Sequence, residues 1–210
     1  MSAHRLILAT RNVGKIEELR RILADLVSNP AESIELVGTD EFGLDDVEET
    51  GDTFAANALI KARAVANATG LPAIADDSGL CVDALNGMPG IYSARWSGRH
   101  GDDQANLALL LAQLSHVPEV RRGAHFACAA ALVIPGVTEI VEEGRIVGTL
   151  ISEPRGSGGF GYDPIFMPLG CTQTMAQLSA DEKDEISHRG LAFRALAPRV
   201  AALLILDRPT

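Results

Sequence analysis

Two adjacent aspartates at the end of a short apolar run constrain this chain more than any other feature. Residues 73–75 are typical of a buried strand, and Asp76 and Asp77 follow them directly. We expect a turn at Gly79 and a returning strand over residues 80–82. Neighbouring side chains of a strand point to opposite faces, so one carboxylate is expected to point into a cleft. The alternative is a turn whose polar side chains cap backbone N–H groups.

Length and charge limit the class of protein. A chain of 210 residues is long enough for one domain with a substantial core and needs no metal or disulfide scaffold. Its formal net charge of -10 argues against a nucleic-acid polymer or an anionic membrane as partner, although small anions remain possible.

The cysteines and the first residues bear on location. Cys81, Cys128 and Cys171 are odd in number, widely spaced and surrounded by apolar residues, which favours reduced thiols. The apolar run after Met1 is too short for a signal peptide, and no run reaches membrane-spanning length. We therefore expect a cytoplasmic protein.

Hydrophobic periodicity predicts alternating strands and helices. Mixed elements in this order indicate an α/β or α+β sheet with some antiparallel pairing. Our prediction is the α/β class, with a mixed, partly antiparallel sheet flanked by helices. The predicted strands cover residues 6–9, 34–37, 73–75, 80–82, 126–134 and 139–151, the last as one or two strands of a hairpin, and a further strand ends near Met167. The predicted helices cover residues 16–26 and 54–69, a segment with apolar positions from Leu107 to Leu114 that Asp102 or Asp103 caps, a segment that carries Lys183, and a final segment from about Leu191.

A polar turn between the first strand and the first helix favours anion binding. Residues 10–15 would present backbone N–H groups and the positive end of the helix dipole, and Asn12 and Lys15 add donors. A phosphate is the natural ligand of such a turn. Because the turn does not match the Walker A pattern, Asn12 as a helix cap and Lys15 in solvent remain the alternative.

The helix predicted over residues 54–69 carries Asn57 and Lys61 four residues apart, so these two side chains share one face. An acidic stretch precedes this helix and the aspartate pair follows it. The polar face is therefore a candidate wall of a metal and phosphate site, and the alternative is a solvent-facing amide and ammonium.

Residues 156–161 formally match the G-x-G-x-x-G dinucleotide pattern. We reject that match because the segment leads into a turn and a strand instead of opening a helix. The glycines allow close approach of a ligand, and Phe160 offers a face on which a base could stack. A flexible hairpin loop with one exposed aromatic ring is the alternative.

With these segments in place, the chain resembles the inosine/xanthosine triphosphate pyrophosphatases. The matching motifs follow the family order along nearly the whole chain, and Arg11 is the one visible departure. The motifs are Thr10-Arg11-Asn12-Val13-Gly14-Lys15, Glu48-Glu49-Thr50-Gly51 with Thr53-Phe54 and Asn57-Ala58-Leu59-Ile60-Lys61-Ala62, Ala75-Asp76-Asp77-Ser78-Gly79-Leu80, Pro89-Gly90-Ile91-Tyr92-Ser93-Ala94-Arg95, Gly158-Gly159-Phe160-Gly161-Tyr162-Asp163-Pro164, and Ser187-His188-Arg189-Gly190.

The resemblance implies a single pyrophosphatase domain over residues 1–210, with two lobes and a central cleft, that forms a homodimer. It implies Mg²⁺-dependent hydrolysis of ITP, dITP and XTP to the nucleoside monophosphate and pyrophosphate. Glu48 and Asp77 would hold the metal, and Asp77 would activate the attacking water. The residues that would bind substrate are Thr10, Arg11, Asn12, Val13, Gly14, Lys15, Lys61 and Lys183 around the triphosphate, Ser78, and Phe160, Gly161, Tyr162, Asp163, His188 and Arg189 around the base.

Hydrogen bonding explains how such a site would select its base. Deaminated purines carry a keto oxygen where adenine carries an amino group, so a buried donor is satisfied only by the former. A related pyrophosphatase with a pyrimidine preference and a catalytically silent nucleotide sensor are the alternatives. Glu48, Asp77 and Lys15 argue against the sensor.

Overall fold

The computed structural model describes residues 4–10, 13–23 and 34–205, with the backbone alone at 13–15 and 205. These residues form a six-stranded sheet in the order β2-β1-β3-β4-β5-β6. The strands are β1 His4–Leu8, β2 Ile34–Gly38, β3 Ala73–Val82, β4 Gly123–Ile134, β5 Thr138–Leu150 and β6 Phe166–Pro168. β1 runs parallel to both β2 and β3, whereas β5 and β6 are antiparallel. The mixed sheet and its helices confirm the predicted α/β class.

Several α-helices of the described residues begin at recognisable caps. Thr53 accepts a hydrogen bond from the Ala56 N–H at 3.1 Å, and Gly70 ends the same helix in the left-handed region. The predicted capping box at Ser179 and Glu182 is also present. The helices are α1 Val13–Ile22, α2 Phe54–Thr69, α3 Asp103–Gln113, α4 Ala180–Ile186 and α5 His188–Ile205. None of them is long and apolar enough to cross a membrane.

The chain divides into two compact units. Unit 1 contains the described residues of Met1–Asp77, Cys128–Gly144 and Arg189–Thr210, and unit 2 contains Ser78–Ala127 and Arg145–His188. Strands β3, β4 and β5 each contribute residues to both units.

Strand alternation places the two apolar clusters of unit 1 on opposite faces of β3. Ile74 packs in one cluster with Phe193 of α5. Ala73 and Ala75 pack in the other with Ala62 of α2. Because these three small alanines face one another, α2 can lie close against the sheet.

The predicted turn at Gly79 is wrong, because β3 continues unbroken to Val82. A Cβ atom at Gly79 would collide with the Gly90 carbonyl oxygen and the Ser93 Oγ. The Ser93 hydroxyl also accepts the Leu80 N–H at 2.9 Å. The glycine therefore marks the close approach of another segment and not a reversal of the chain.

Other boundaries also differ from the prediction. α5 begins at His188 and not near Leu191. Of the one or two strands predicted over residues 139–151, the structure has one, at residues 138–150. The predicted strand at 34–37 and the helix at 54–69 are confirmed. The glycine loop opens no α-helix but leads through a short 3₁₀ turn into β6, as predicted.

We predict that Gly79→Ala lowers the free energy of unfolding by about 1–3 kcal/mol, because the new methyl group overpacks a backbone carbonyl. Urea unfolding measures this loss. Gly38→Ala is the matched control, since a Cβ atom there meets no atom within 4 Å. Equal midpoints for the two variants would contradict the steric explanation.

Candidate functional site

Asp76 and Asp77 are both buried, with exposed fractions of 1% and 5%. As neighbours in β3 they point to opposite faces, Asp76 to the Ile74 side and Asp77 to the Ala75 side. Each carboxylate meets a donor from the helix on its own side. Arg189 Nε of α5 lies 3.2 Å from Asp76 Oδ2, and Asn57 Nδ2 of α2 lies 3.0 Å from Asp77 Oδ2.

The polar face of α2 holds Asp77. Asn57 is fully buried, and its Oδ1 accepts the Gly51 N–H at 2.8 Å while its amide nitrogen donates to Asp77. One turn further on, Lys61 Nζ lies 3.9 Å from Asp77 Oδ1 and donates to Glu49 Oε1. Asn57 thus connects both the loop before α2 and the Asp77 carboxylate to this one helix.

Lys61 stays cationic in this setting. Burial by itself lowers the pKa of Lys61, but the charges of Asp76, Asp77 and Glu49 outweigh burial and raise it above 10.5. The ammonium group can therefore neutralise negative charge beside Asp77 over the whole physiological range.

The opposite face of β3 carries a buried ionic triad. Arg189 donates through Nε to Asp76 and through Nη1 to Glu18 Oε2 at 3.0 Å. Glu18, on α1, is only 2% exposed. Burial lowers the pKa of Arg189, yet the two carboxylates raise it further than burial lowers it, so the guanidinium remains charged.

We call these side chains the aspartate cluster: Glu18, Glu49, Asn57, Lys61, Asp76, Asp77 and Arg189. It contains four carboxyl groups and two cationic groups. The excess of carboxyl groups favours a further cation from outside the cluster.

The described residues contain no group of three or more His, Cys, Asp or Glu side chains that could hold a metal ion. Mg²⁺ does not need such a cage when substrate oxygens and waters complete its shell around one or two carboxylates. The fixed carboxylate of Asp77 and the acidic excess around it fit that mode of binding.

A second group of polar residues lies in unit 2, on the segment of residues 160–163 that we call the aromatic loop. Asp163 Oδ2 accepts both the Phe160 N–H at 3.0 Å and Lys183 Nζ at 2.8 Å. The Lys183 ammonium also lies 4.9 Å from the centroid of the Phe160 ring. The loop is therefore held in one conformation by charged partners.

Tyr162 and His188 of unit 2 are buried among aromatic and polar neighbours. The Tyr162 hydroxyl donates to the Ser93 carbonyl at 2.9 Å, and burial, with Asp103, raises the pKa of the Tyr162 phenol. The phenol is thus a neutral donor at physiological pH. His188 stacks on Phe126 with ring centroids 4.8 Å apart and an interplanar angle of 10°.

Comparison with known proteins now identifies the family. Residues 6–199 match the model of the Ham1 family. The chain belongs to the Ham1 family. The dITP/XTP pyrophosphatase of Streptomyces coelicolor is 65% identical over 201 residues, which cover 95% of this chain and 98% of that protein. That of Nocardia farcinica is 57% identical, with 97% and 98% covered.

Solved structures of Ham1 proteins share this fold. A HAM1 protein from Coxiella burnetii superposes with a TM-score of 0.83 at 40% identity, covering 94% of this chain and 98% of that chain. The nucleoside-triphosphatase / dITP/XTP pyrophosphatase of Mycobacterium abscessus gives a TM-score of 0.74 at 54% identity, covering 92% and 99%.

The structure brings part of the predicted site of this Ham1 member together. Asp77 and Lys61 belong to the aspartate cluster, and Lys183 and Asp163 meet at the aromatic loop. Glu48 is exposed, and it is Glu49 that pairs with Lys61. Thr10 and Ser78 are half-buried, in unit 1 and unit 2 respectively. Arg11 and Asn12 lie outside the described residues, as do the side chains of Val13, Gly14 and Lys15.

Sequence reasoning placed Asn57 beside Lys61 on a candidate wall of the site, because the two share a helix face. It assigned no site role to Glu49 or Glu18. Glu49 is not distinguishable in sequence from the acidic residues around it. Glu18 precedes the apolar Ile22 by four residues, which is the one hint that α1 buries an acid.

We predict that Lys61→Gln lowers the free energy of unfolding by about 3 kcal/mol near neutral pH, because buried carboxylates lose their cation. Because the pKa of Lys61 is raised in the folded protein, the stability difference between the wild type and Lys61→Gln falls as pH rises. The stability difference from the wild type is full below pH 10.5 and shrinks as pH rises through the folded-state pKa.

Urea unfolding of both proteins at several pH values between about 7 and 11 measures this difference. Arg63→Gln is the control on the same helix, since its side chain is 47% exposed and pairs with Glu139 at the surface. Its effect should stay below about 1 kcal/mol. A Lys61→Gln difference that grows towards pH 11 would contradict the assignment.

Proposed function

We propose that this protein hydrolyses deaminated purine nucleoside triphosphates, dITP, ITP and XTP, to the nucleoside monophosphate and pyrophosphate. The observation that carries the proposal is the buried Asp77 carboxylate, oriented by Asn57 and neighboured by Lys61. Relatives with the name dITP/XTP pyrophosphatase, up to 65% identical over nearly the full chain, support the choice of substrate. Removal of such nucleotides from the pool is the expected role.

The chemistry is the displacement of pyrophosphate by water. The water oxygen forms a bond to the α-phosphorus, the bond from that phosphorus to the oxygen bridging to the β-phosphate breaks, and pyrophosphate leaves with the electron pair. Asp77 accepts the proton of the attacking water. The Asn57 amide keeps the carboxylate in one orientation, and the Lys61 ammonium offsets charge that accumulates on phosphate oxygens.

Mg²⁺ is part of the proposal. Glu48 and Asp77 would hold it, with substrate phosphates and waters as the other ligands. When bound, the ion supplies charge neutralisation and a lowered pKa of a coordinated water. Glu48 is the exposed member of this pair, so it can reach an ion without breaking any buried contact.

Base selection is assigned to the aromatic loop, with His188 and Arg189 as further candidates from the resemblance. The resemblance places Lys183 at the triphosphate, and we add it as a candidate donor to the base. Phe160 offers a half-buried ring, and Lys183 is a buried donor beside it. A buried donor that meets the keto oxygen of hypoxanthine or xanthine would face another donor in adenine. Mismatches of that kind can reject a competitor by about 10⁴-fold.

The resemblance further implies a single catalytic domain over residues 1–210 and a homodimer in the cytoplasm. These parts of the proposal are open to direct measurement. Light scattering on the purified protein gives the mass in solution, and fractionation of the producing cells gives the location.

We predict that the purified protein with Mg²⁺ releases pyrophosphate from ITP, dITP and XTP far faster than from GTP, ATP or dTTP. Product analysis by ion chromatography distinguishes pyrophosphate from orthophosphate, and a parallel reaction with excess EDTA tests the metal. Orthophosphate as product, or equal rates on all bases, would refute the proposal. A preference for dTTP would favour a pyrimidine enzyme, and binding without turnover a sensor.

We predict that Asp77→Asn lowers kcat by at least about 10²-fold while the urea midpoint stays near that of the wild type. The new amide oxygen can still accept the Asn57 donor, but it cannot take a proton from water. Asp52→Asn is the control, because Asp52 is an exposed acid of the loop before α2. Retention of most activity in Asp77→Asn would remove Asp77 from the base role.

A further inference from the structure

The aromatic loop is fastened by two hydrogen bonds to residues that the family motifs leave without a role. The Gly161 N–H donates to Asp103 Oδ2 at 2.8 Å, and the Tyr162 hydroxyl donates to the Ser93 carbonyl at 2.9 Å. Ser93 lies in a 3₁₀ turn before α3, and Asp103 is the first residue of α3. The sequence between them and the loop spans 58 residues for the first bond and 69 for the second, so these are tertiary contacts.

Asp103 is not the cap of α3. That position belongs to Asp102, whose Oδ1 accepts the Ala105 N–H at 3.1 Å. The carboxylate of Asp103 instead reaches out of the helix to Gly161. A hydrogen bond from a backbone N–H to a carboxylate is stronger than one between neutral groups. The Asp103 carboxylate therefore binds the aromatic loop and not the N-terminus of α3.

Gly161 is the position of the loop that most needs such an anchor. Its φ is 62°, in the left-handed region, and a Cβ atom there would meet nothing within 4 Å. A glycine with open space around it can rotate its peptide groups at little steric cost. The Asp103 bond selects one orientation of the peptide that joins Phe160 to Gly161.

That peptide carries Phe160, whose N–H and ring both have charged partners. The Phe160 N–H is bonded to Asp163, and the Lys183 ammonium lies over the ring. With the Gly161 N–H held by Asp103, both backbone donors of this part of the loop are turned towards carboxylates. The direction of the Phe160 ring, to which the proposed function assigns contact with the base, therefore depends on the Asp103 bond.

We infer that Asp103 is a positioning residue for base recognition. It holds the aromatic loop in its base-binding conformation before substrate arrives, so that binding the base does not have to order the loop. The Ser93 carbonyl does the same for Tyr162. This inference rests on the proposed function, in which Phe160 contacts the base of the substrate.

The test compares Asp103→Ala, which removes the acceptor, with Asp103→Asn, which keeps an acceptor oxygen without the charge. Gln104→Ala, an exposed change on the same helical turn, is the control. Asp103→Ala should raise KM for ITP by roughly tenfold and leave kcat within about twofold, because the lost bond acts on base binding. Asp103→Asn should restore most of the affinity.

Inorganic tripolyphosphate, which has no base, distinguishes a loss of base positioning from general damage to the active site. Its inhibition constant should be the same in Asp103→Ala and wild type. In the double variant with Phe160→Ala, the Asp103 substitution should have no further effect on KM, because the two act through one ring. An unchanged KM, an equal loss of tripolyphosphate binding, or full additivity would each overturn the inference.

A readout without turnover distinguishes the inference from the proposed function. Amide hydrogen exchange at Gly161 should be faster in Asp103→Ala than in wild type and Gln104→Ala, and close to wild type in Asp103→Asn. If the wild type releases no pyrophosphate from ITP, the proposed function fails. Unchanged exchange in Asp103→Ala then refutes the anchor independently of activity.

Discussion

Two consecutive carboxylates buried in one strand are the constraint on which unit 1 depends. Removing Asp76 and Asp77 from water costs several kcal/mol for each charge unless partners compensate. Because β3 turns them to opposite faces, a single helix cannot supply both partners. α2 presents Asn57 and Lys61 to one face, and α5 presents Arg189 to the other. The two faces of the sheet are therefore linked through adjacent residues of the same strand.

This constraint also explains why α1 buries an acid. Arg189 is 4% exposed and donates through Nε to Asp76, so the other N–H groups of its guanidinium need acceptors in the interior. Glu18 accepts from Nη1 and completes the triad. α1 is thereby linked to β3 through Arg189. This ionic link adds to the apolar packing of Leu19 and Leu23. A buried triad of this kind adds little net stability, because the cost of removing its charges from water offsets their attraction.

The sequence predicted those elements whose signals are local. The limits of α2 could be predicted from Thr53 and Gly70, because a single residue type signals an N-terminal cap and a left-handed C-terminal residue. Gly79 was misread because a glycine that makes room for a neighbour looks the same in sequence as one that makes a turn. The start of α5 was placed too late, because Gly190 resembles a break although tertiary packing carries the helix through it.

For the site, prediction from the sequence was limited by the distance along the chain between residues that contact each other. Asn57 and Lys61 could be paired by helical spacing, and the family motif singled out Asp77. Nothing in the spacing shows that Asp103 reaches Gly161, because only the folded chain brings these segments together. Hydrogen-bond partners of this kind are determined by tertiary packing, and a comparison of sequence motifs does not find them.

The ionic triad also bears on the order in which a ribosome-bound chain can fold. Arg189 follows Asp76 by 113 residues and Glu18 by 171. Glu18 and Asp76 emerge early during translation, while the guanidinium that pairs with both emerges much later. Unit 1 therefore completes its interior only after all of unit 2 has been synthesised, and until then the nascent chain lacks the cation that joins these two acids.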